Sequence, residues 1–153
     1  MKHTVGLVVL VATVACTGDA VGPRDGPLHL SVDVARPAIA VGDTTTVTIR
    51  LRNLSPVTVT FVAGGCPMLP YIAERTSREV VYPSGGGWVC VLILQRVTLG
   101  PWGEETRQVP VRGVAEWPAT FDAALPPGEY LVYATLESPE YQLRSASAAI
   151  AVK

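Results

Sequence analysis

The segment from Leu125 to Leu136 constrains the fold of this chain more than any other part of its sequence. Pro126, Pro127 and Gly128 predict a sharp turn, because proline presets φ and glycine tolerates positive φ. After this turn, apolar residues recur at every second position: Tyr130, Val132, Ala134 and Leu136. This alternation predicts a strand that buries one of its faces in a hydrophobic core.

The position of Tyr130 relative to the turn indicates the kind of fold. A tyrosine two residues after such a turn resembles the tyrosine corner of immunoglobulin-like sandwiches, in which the hydroxyl bonds back to nearby backbone. The 13 prolines and 14 glycines suit an all-β domain with many turns. A chain of 153 residues is long enough for one domain with its own core.

Further segments alternate apolar and polar residues and predict half-buried strands. They are Leu28–Val34, Thr46–Asn53, Val57–Phe61 and Arg144–Val152. Because Asn53, Ser55 and Pro56 form a turn between the second and third of these segments, residues 46–61 are predicted to form a hairpin.

The middle of the sequence is less regular. Pro70–Arg75 predicts a short edge strand, followed after a turn by a strand at Glu79–Tyr82. The continuous apolar run Trp88–Leu94 predicts a strand buried on both faces, or one whose inner face carries a disulfide. Glu105–Arg112 contains Pro110, which cannot donate to a ladder and therefore indicates an edge strand. Together these segments predict an immunoglobulin-like antiparallel β-sandwich of about eight to nine strands over residues 28–153.

Residues 1–15 have the layout of a secretory signal peptide. Lys2 precedes an apolar run from Thr4 to Ala15. As a helix this run would rise about 18 Å, which is too short for a bilayer core about 30 Å thick. We therefore expect a cleaved signal and not a membrane-spanning anchor.

The end of the signal, Thr13-Val14-Ala15-Cys16, resembles a bacterial lipobox, although Thr13 replaces the usual aliphatic residue. The resemblance implies cleavage before Cys16 and acylation of that cysteine, with residues 16–27 as a flexible tether. The implied location is the bacterial cell envelope. Thr17, where an aspartate usually favours inner-membrane retention, indicates the outer membrane if the source is Gram-negative. Ordinary secretion and a buried N-terminal strand are the alternatives.

The two other cysteines, Cys66 and Cys90, form a pair that an exported chain is able to oxidise. A disulfide between them would close a loop of 25 residues. The chain-entropy model assigns such a loop roughly 3.5 kcal/mol of stabilisation. The alternative is two buried free thiols.

The sequence offers no constellation for catalysis, a metal or a cofactor. His29, the one histidine outside the signal, falls at an outward position of the first strand. Glu104 and Glu105 are adjacent, so on a strand they point to opposite faces. No Gly-x-Ser-x-Gly elbow, zinc-ligand spacing or phosphate loop occurs. The formal net charge of −1 gives no electrostatic basis for binding nucleic acid.

Two tryptophans lie in or beside glycine-rich loops. Trp88 belongs to the loop at residues 83–89, and Trp102 to the loop at residues 100–103. Exposed aromatic residues on loops are candidates for anchoring a partner. Packing into the core or over its end is the alternative for both.

The order of these segments resembles the BsuPI-type intracellular proteinase inhibitor domain. The resemblance rests on Asn53-Leu-Ser-Pro-Val-Thr-Val-Thr-Phe61, Val97-Thr-Leu-Gly-Pro101 and Leu125-Pro-Pro-Gly-Glu-Tyr-Leu-Val-Tyr-Ala134, and covers Leu28 to Val152. It implies an immunoglobulin-like sandwich and proteinase inhibition. The chain departs from the family's usual turn where Trp102 separates Pro101 from Gly103.

These observations lead to one expected function and one alternative. We expect a membrane-anchored lipoprotein that carries a non-catalytic, immunoglobulin-like binding or structural module. Its partners would be the membrane, through the lipid on Cys16, and another envelope protein or a protease. The alternative is a proteinase inhibitor of the BsuPI type.

Overall fold

A computed structural model describes residues 26–83, 93–117 and 122–153. Within these ranges the protein is all-β and contains no helix, so no helix there could cross a membrane. The strands are β1 (Leu28–Val34), β2 (Ala38–Ile39), β3 (Thr44–Asn53), β4 (Val59–Ala63), β5 (Leu69–Glu74), β6 (Val80–Tyr82), β7 (Gln95–Leu99), β8 (Glu104–Gly113), β9 (Ala124–Leu125), β10 (Gly128–Glu137), β11 (Gln142–Arg144) and β12 (Ala148–Val152). These twelve strands exceed the eight to nine predicted, because β2, β6, β9 and β11 are only two or three residues long.

The strands form a sandwich-like arrangement of sheets. One sheet has the order β1-β3-β8-β9, and the other has the order β2-β12-β10-β5-β6 with β11 also paired to β10. Strands β4 and β7 form a third, two-stranded sheet. Neighbours are antiparallel except for β2 with β12 and β8 with β9. Strand β1 lies against β10 and β12 of the facing sheet, so the two large sheets enclose a common core.

The core is built from the inward positions that the period-two pattern predicts. In β1, Leu28 and Leu30 are buried while His29 is exposed. In β10 the predicted inward set is confirmed, because Tyr130 is only 4% exposed and the next three inward residues are completely buried. Those three are Val132, Ala134 and Leu136.

The predicted role of the Tyr130 hydroxyl is also confirmed. The hydroxyl donates a hydrogen bond of 2.9 Å to the carbonyl oxygen of Pro126, in the turn that precedes β10. Gly128 allows this close return, because a Cβ atom at that position would lie 3.1 Å from the Tyr130 hydroxyl oxygen. The turn and the tyrosine therefore fix the entry of β10 into the core together.

The predicted hairpin over residues 46–61 is wrong, although both of its strands exist. Strand β3 pairs with β1 and β8, whereas β4 pairs with β7 in another sheet. The connection after Asn53 therefore carries the chain from one sheet to another. Alternation identifies strands, but pairing depends on segments far away in the sequence, which a local turn signal does not contain.

Two predictions in the middle of the chain also need correction. Strand β5 lies between β10 and β6 and is not an edge strand. The apolar run Trp88–Leu94 lies mostly outside the described residues, but its last two residues, Ile93 and Leu94, are exposed and precede β7. The buried residues lie further along the chain, in β7, where Val97 and Leu99 alternate with exposed residues and face the core.

The edge position predicted for Pro110 agrees with the sheet order. Strand β8 pairs with β3 on one side from Glu104 to Arg112. On its other side, among the described strands, β9 pairs only with Arg112 and Gly113. The missing N–H of Pro110 is therefore tolerated next to an edge of the described sheet.

Replacement of Tyr130 by phenylalanine tests the contribution of the tyrosine corner. We expect Tyr130→Phe to lower the free energy of unfolding by about 1 kcal/mol, because the ring stays and the bond to Pro126 is lost. Urea unfolding of a soluble form that begins at Thr17 measures this. Tyr133→Phe is the matched control, because Tyr133 points outward from the same strand and its ring contacts survive. Equal stability of Tyr130→Phe and the parent would contradict the role of the hydroxyl.

Alkaline pH should destabilise the domain through its tyrosines. Burial raises the pKa of Tyr71, Tyr82 and Tyr130 above the ordinary value of 10.0. Between that value and the higher folded-state pKa, the folded chain binds more protons than the unfolded chain, so stability falls as pH rises. Urea unfolding at a series of pH values above about 10 should show this fall. The fall should be shallower in Tyr130→Phe, and an identical slope would exclude Tyr130 as a contributor.

Candidate functional site

Two loops meet at the end of the sandwich where the described chain begins. One loop, residues 54–58, connects β3 to β4, and the other, residues 100–103, connects β7 to β8. The N–H group of Leu54 donates a hydrogen bond of 2.6 Å to the carbonyl oxygen of Pro27. The segment that leads into β1 therefore lies beside these loops.

The side chain of Asn53 joins the two loops from the inside. Asn53 is 1% exposed, and its amide nitrogen donates to the carbonyl oxygens of Val57 at 2.7 Å and Gly100 at 2.8 Å. A longer contact of 3.3 Å reaches the carbonyl oxygen of Leu99. Its amide oxygen accepts bonds from the N–H and hydroxyl of Ser55, at 3.0 and 2.7 Å. Each polar atom of this buried amide has a partner, so the two loops are held in one arrangement.

Backbone hydrogen bonds add to this connection. The N–H of Asn53 donates to the carbonyl oxygen of Gly103 at 2.9 Å, and the N–H of Trp102 donates to that of Ser55 at 3.2 Å. Sequence reasoning treated Asn53 only as a turn residue. The sequence does not predict its hydrogen bonds to the second loop, because the partners at residues 99 and 100 lie more than 40 positions further along the chain.

The loop at residues 100–103 is a tight turn with an unusual residue at its third position. The N–H of Gly103 donates to the carbonyl oxygen of Gly100 at 2.9 Å, which closes the turn. Trp102 has a φ of 57°, in the left-handed region that glycine normally supplies when proline occupies the second position.

Trp102 is therefore costly to the fold in two respects. A left-handed conformation costs a residue with a Cβ atom roughly 1–2 kcal/mol. In addition, the residue is 62% exposed, so little of its large apolar surface is buried in return. Strained residues with no packing reason are concentrated at functional sites. The alternative of core packing for Trp102 is thus wrong.

Two other exposed apolar residues accompany Trp102 on these loops. Leu54 is 48% exposed and Val57 is 62% exposed. Together with Trp102 they form what we call the apolar end surface. Sequence reasoning identified Trp102 as a candidate but not Leu54 or Val57, since both resembled ordinary turn and strand residues.

The charges next to the apolar end surface compensate one another. Glu104 lies 3.7 Å from Arg50 and 3.5 Å from Arg52, and Arg50 also pairs with Asp33. Two positive and two negative side chains therefore surround this part of the first sheet. All four are partly exposed, so the pairs add little stability.

The remaining predicted site residues are not brought together. His29 is exposed on β1, opposite Arg52 in the register. Glu104 and Glu105 occupy alternate positions of β8, with Glu104 exposed and Glu105 half-buried. Among the described residues no group of three or more histidine, cysteine, aspartate or glutamate side chains could hold a metal ion. Cys66 is half-buried in the connection from β4 to β5.

Four predictions fall wholly or in part outside the described residues. They concern the signal peptide, Cys16, Cys90 and Trp88. An open depression of about 360 Å³ lies along β8. Its lining residues are Thr44, Tyr82, Val109, Pro110, Arg112, Asp122 and Ala123.

No protein-family model matches the chain, and a comparison with curated proteins also gives no match. Solved structures with a similar shape include the alkylpurine DNA glycosylase AlkC of Pseudomonas fluorescens bound to DNA containing an abasic site analog. It is 16% identical, with 83% of this chain and 30% of that chain covered and a TM-score of 0.46. The chain spans less than a third of the length of the first such structures.

Two smaller proteins are similar in the same way. The CARDB domain of the PF1109 protein from Pyrococcus furiosus is 14% identical, with 82% and 87% of the two chains covered and a TM-score of 0.45. The sporulation control protein Spo0M from Bacillus subtilis is 10% identical, with 84% and 50% covered and a TM-score of 0.48.

Substitution of Trp102 by glycine should stabilise the protein. Glycine adopts the left-handed conformation without the Cβ penalty but loses more chain entropy on folding, so the net gain should be about 0.5–1 kcal/mol. Trp102→Ala, which keeps the penalty, is the control and should not show the gain. Urea unfolding measures both. A loss of stability in Trp102→Gly would indicate that the indole contributes to the fold.

Proposed function

We propose that this chain is an exported lipoprotein of the bacterial cell envelope, anchored to a membrane by an acylated Cys16. Its immunoglobulin-like domain, residues 28–153, acts as a non-catalytic binding module. The observation that carries the binding role is Trp102, which is exposed and held at positive φ on a turn fixed from inside. If the source is Gram-negative, we place the protein at the outer membrane.

The immunoglobulin-like character of the domain is supported by the order of its strands. Strands β1, β3 and β8 of one sheet face β12, β10 and β5 of the other, and their chain order resembles that of two-sheet sandwiches of this type. The bond from Tyr130 to Pro126 supports the same assignment, because it reproduces the tyrosine corner.

The anchor is supported by the lipobox-like Thr13–Cys16 and by the position of Pro27 at one end of the domain. An exported location also permits the proposed disulfide between Cys66 and Cys90. Cys66 is not a free thiol in the structure, which supports that pairing.

Proteinase inhibition of the BsuPI type is the second candidate. A turn held in one conformation and exposed at its tip is the kind of rigid loop that preorganised inhibitors present. Titration of the soluble domain against a panel of proteases should then give stoichiometric loss of activity. Complete activity of each protease at excess domain would remove this candidate.

The mass of the membrane-bound protein tests the anchor. We expect a mature chain that begins at Cys16 and carries the added mass of acyl groups. Cys16→Ser, the matched control, should remain uncleaved at this position and lack that mass. A mature chain that begins at Thr17, or an uncut chain with Met1, would contradict the proposal.

A further inference from the structure

We propose that the apolar end surface, formed by Leu54, Val57 and Trp102, rests on the lipid bilayer that holds the anchor. This inference rests on the proposed function, because it names the partner of the same surface. The domain would then stand on the membrane with one defined end and keep its opposite end free.

The position of the chain's entry places this surface on the membrane side. Leu54 is hydrogen-bonded to Pro27, and Cys16 precedes Pro27 by 11 residues. A segment of that length spans at most about 40 Å at full extension. An anchor at Cys16 would therefore be tethered to the sandwich at the end that carries Trp102.

The chemistry of the surface fits a bilayer interface. Tryptophan has a large apolar body and one N–H donor, and it is enriched where a hydrocarbon phase meets water. The branched aliphatic side chains of Leu54 and Val57 can enter the same region. Near this surface Arg50 and Arg52 both pair with Glu104, so the charged side chains beside it include two arginines that can face anionic headgroups.

The size of the surface favours a bilayer over a protein partner. A stable protein interface buries about 800 Å² on each partner, whereas three partly exposed side chains offer on the order of a few hundred Å². A contact of this size binds weakly by itself. An anchor attached nearby makes the contact intramolecular, so weak binding is sufficient to orient the domain.

The chain contains a matched control at the other end of the sandwich. Trp102 precedes β8 and Trp117 follows it, and they are 62% and 53% exposed. Ten residues of β8 separate their surroundings by roughly 33 Å. Two tryptophans of similar exposure therefore report on opposite ends of one strand.

The experiment uses the acylated full chain, purified from membranes and reconstituted into phosphatidylethanolamine–phosphatidylglycerol vesicles with brominated acyl chains. Bromine quenches tryptophan fluorescence only at close range. We compare the parent chain with Trp102→Phe and Trp117→Phe, and confirm the fold of each by thermal unfolding. Quenching should be present in the parent and Trp117→Phe and reduced in Trp102→Phe. If Trp102→Phe does not fold, Trp102→Tyr replaces it.

A second measurement tests the aliphatic residues. The soluble form with Cys16→Ser should bind the same vesicles weakly, and Leu54→Ser with Val57→Ser should reduce that affinity about tenfold, since each change removes partly exposed apolar surface. Unchanged affinity would overturn the role of these two residues.

The outcomes separate this inference from the proposed function. Acyl groups in the mass spectrum with equal quenching in the parent and Trp102→Phe would overturn the bilayer contact and leave the anchor intact. Absence of acyl groups would overturn both. A photo-crosslinker at position 102 that reacts in cells with a protein, and not with lipid, would assign the surface to a protein partner and overturn the inference.

Discussion

The buried amide of Asn53 is the interaction on which the end of the domain that carries Trp102 depends. It lies at the end of β3, where the chain leaves one sheet for another, and it satisfies carbonyl groups from both adjoining loops. The same two oxygens also accept bonds from the Ser55 hydroxyl and the Gly103 N–H, so the amide adds a second bond to each, worth about 0.5–1.5 kcal/mol per bond. The amide therefore stabilises the crossing between sheets and fixes the turn that carries Trp102.

Much of the fold could be predicted from local sequence, because period-two alternation reports directly which residues face a core. It identified β1 without error and the inward set of β10, and the turn before Tyr130 indicated the hydroxyl bond to Pro126. Pairing could not be predicted in the same way. The hairpin after Asn53 failed because β4 pairs with β7, more than 30 residues further along the chain.

The candidate site was only partly predictable for a related reason. Trp102 was a candidate because it is an aromatic residue in a glycine-rich turn. It also occupies the position after Pro101, where such a turn usually has glycine. Leu54 and Val57 carried no such signal, since their exposure follows from how two distant loops meet. The hydrogen bonds by which Asn53 joins the two loops could not be predicted for the same reason. Residues whose role depends on contacts between distant segments can be identified only from the three-dimensional structure.

The conformation of Trp102 argues that this end of the domain serves something other than stability. Glycine at that position would satisfy the turn at lower cost, and a polar residue such as asparagine would tolerate positive φ and remain soluble. Tryptophan does neither, and the fold uses a fully bonded buried amide to keep its turn in place. An exposed apolar residue that raises the free energy of the folded chain is consistent with the proposed contact to an external surface. In the proposed arrangement the chain enters the domain next to Trp102, so the bilayer that holds the anchor would be the nearest surface able to supply that contact.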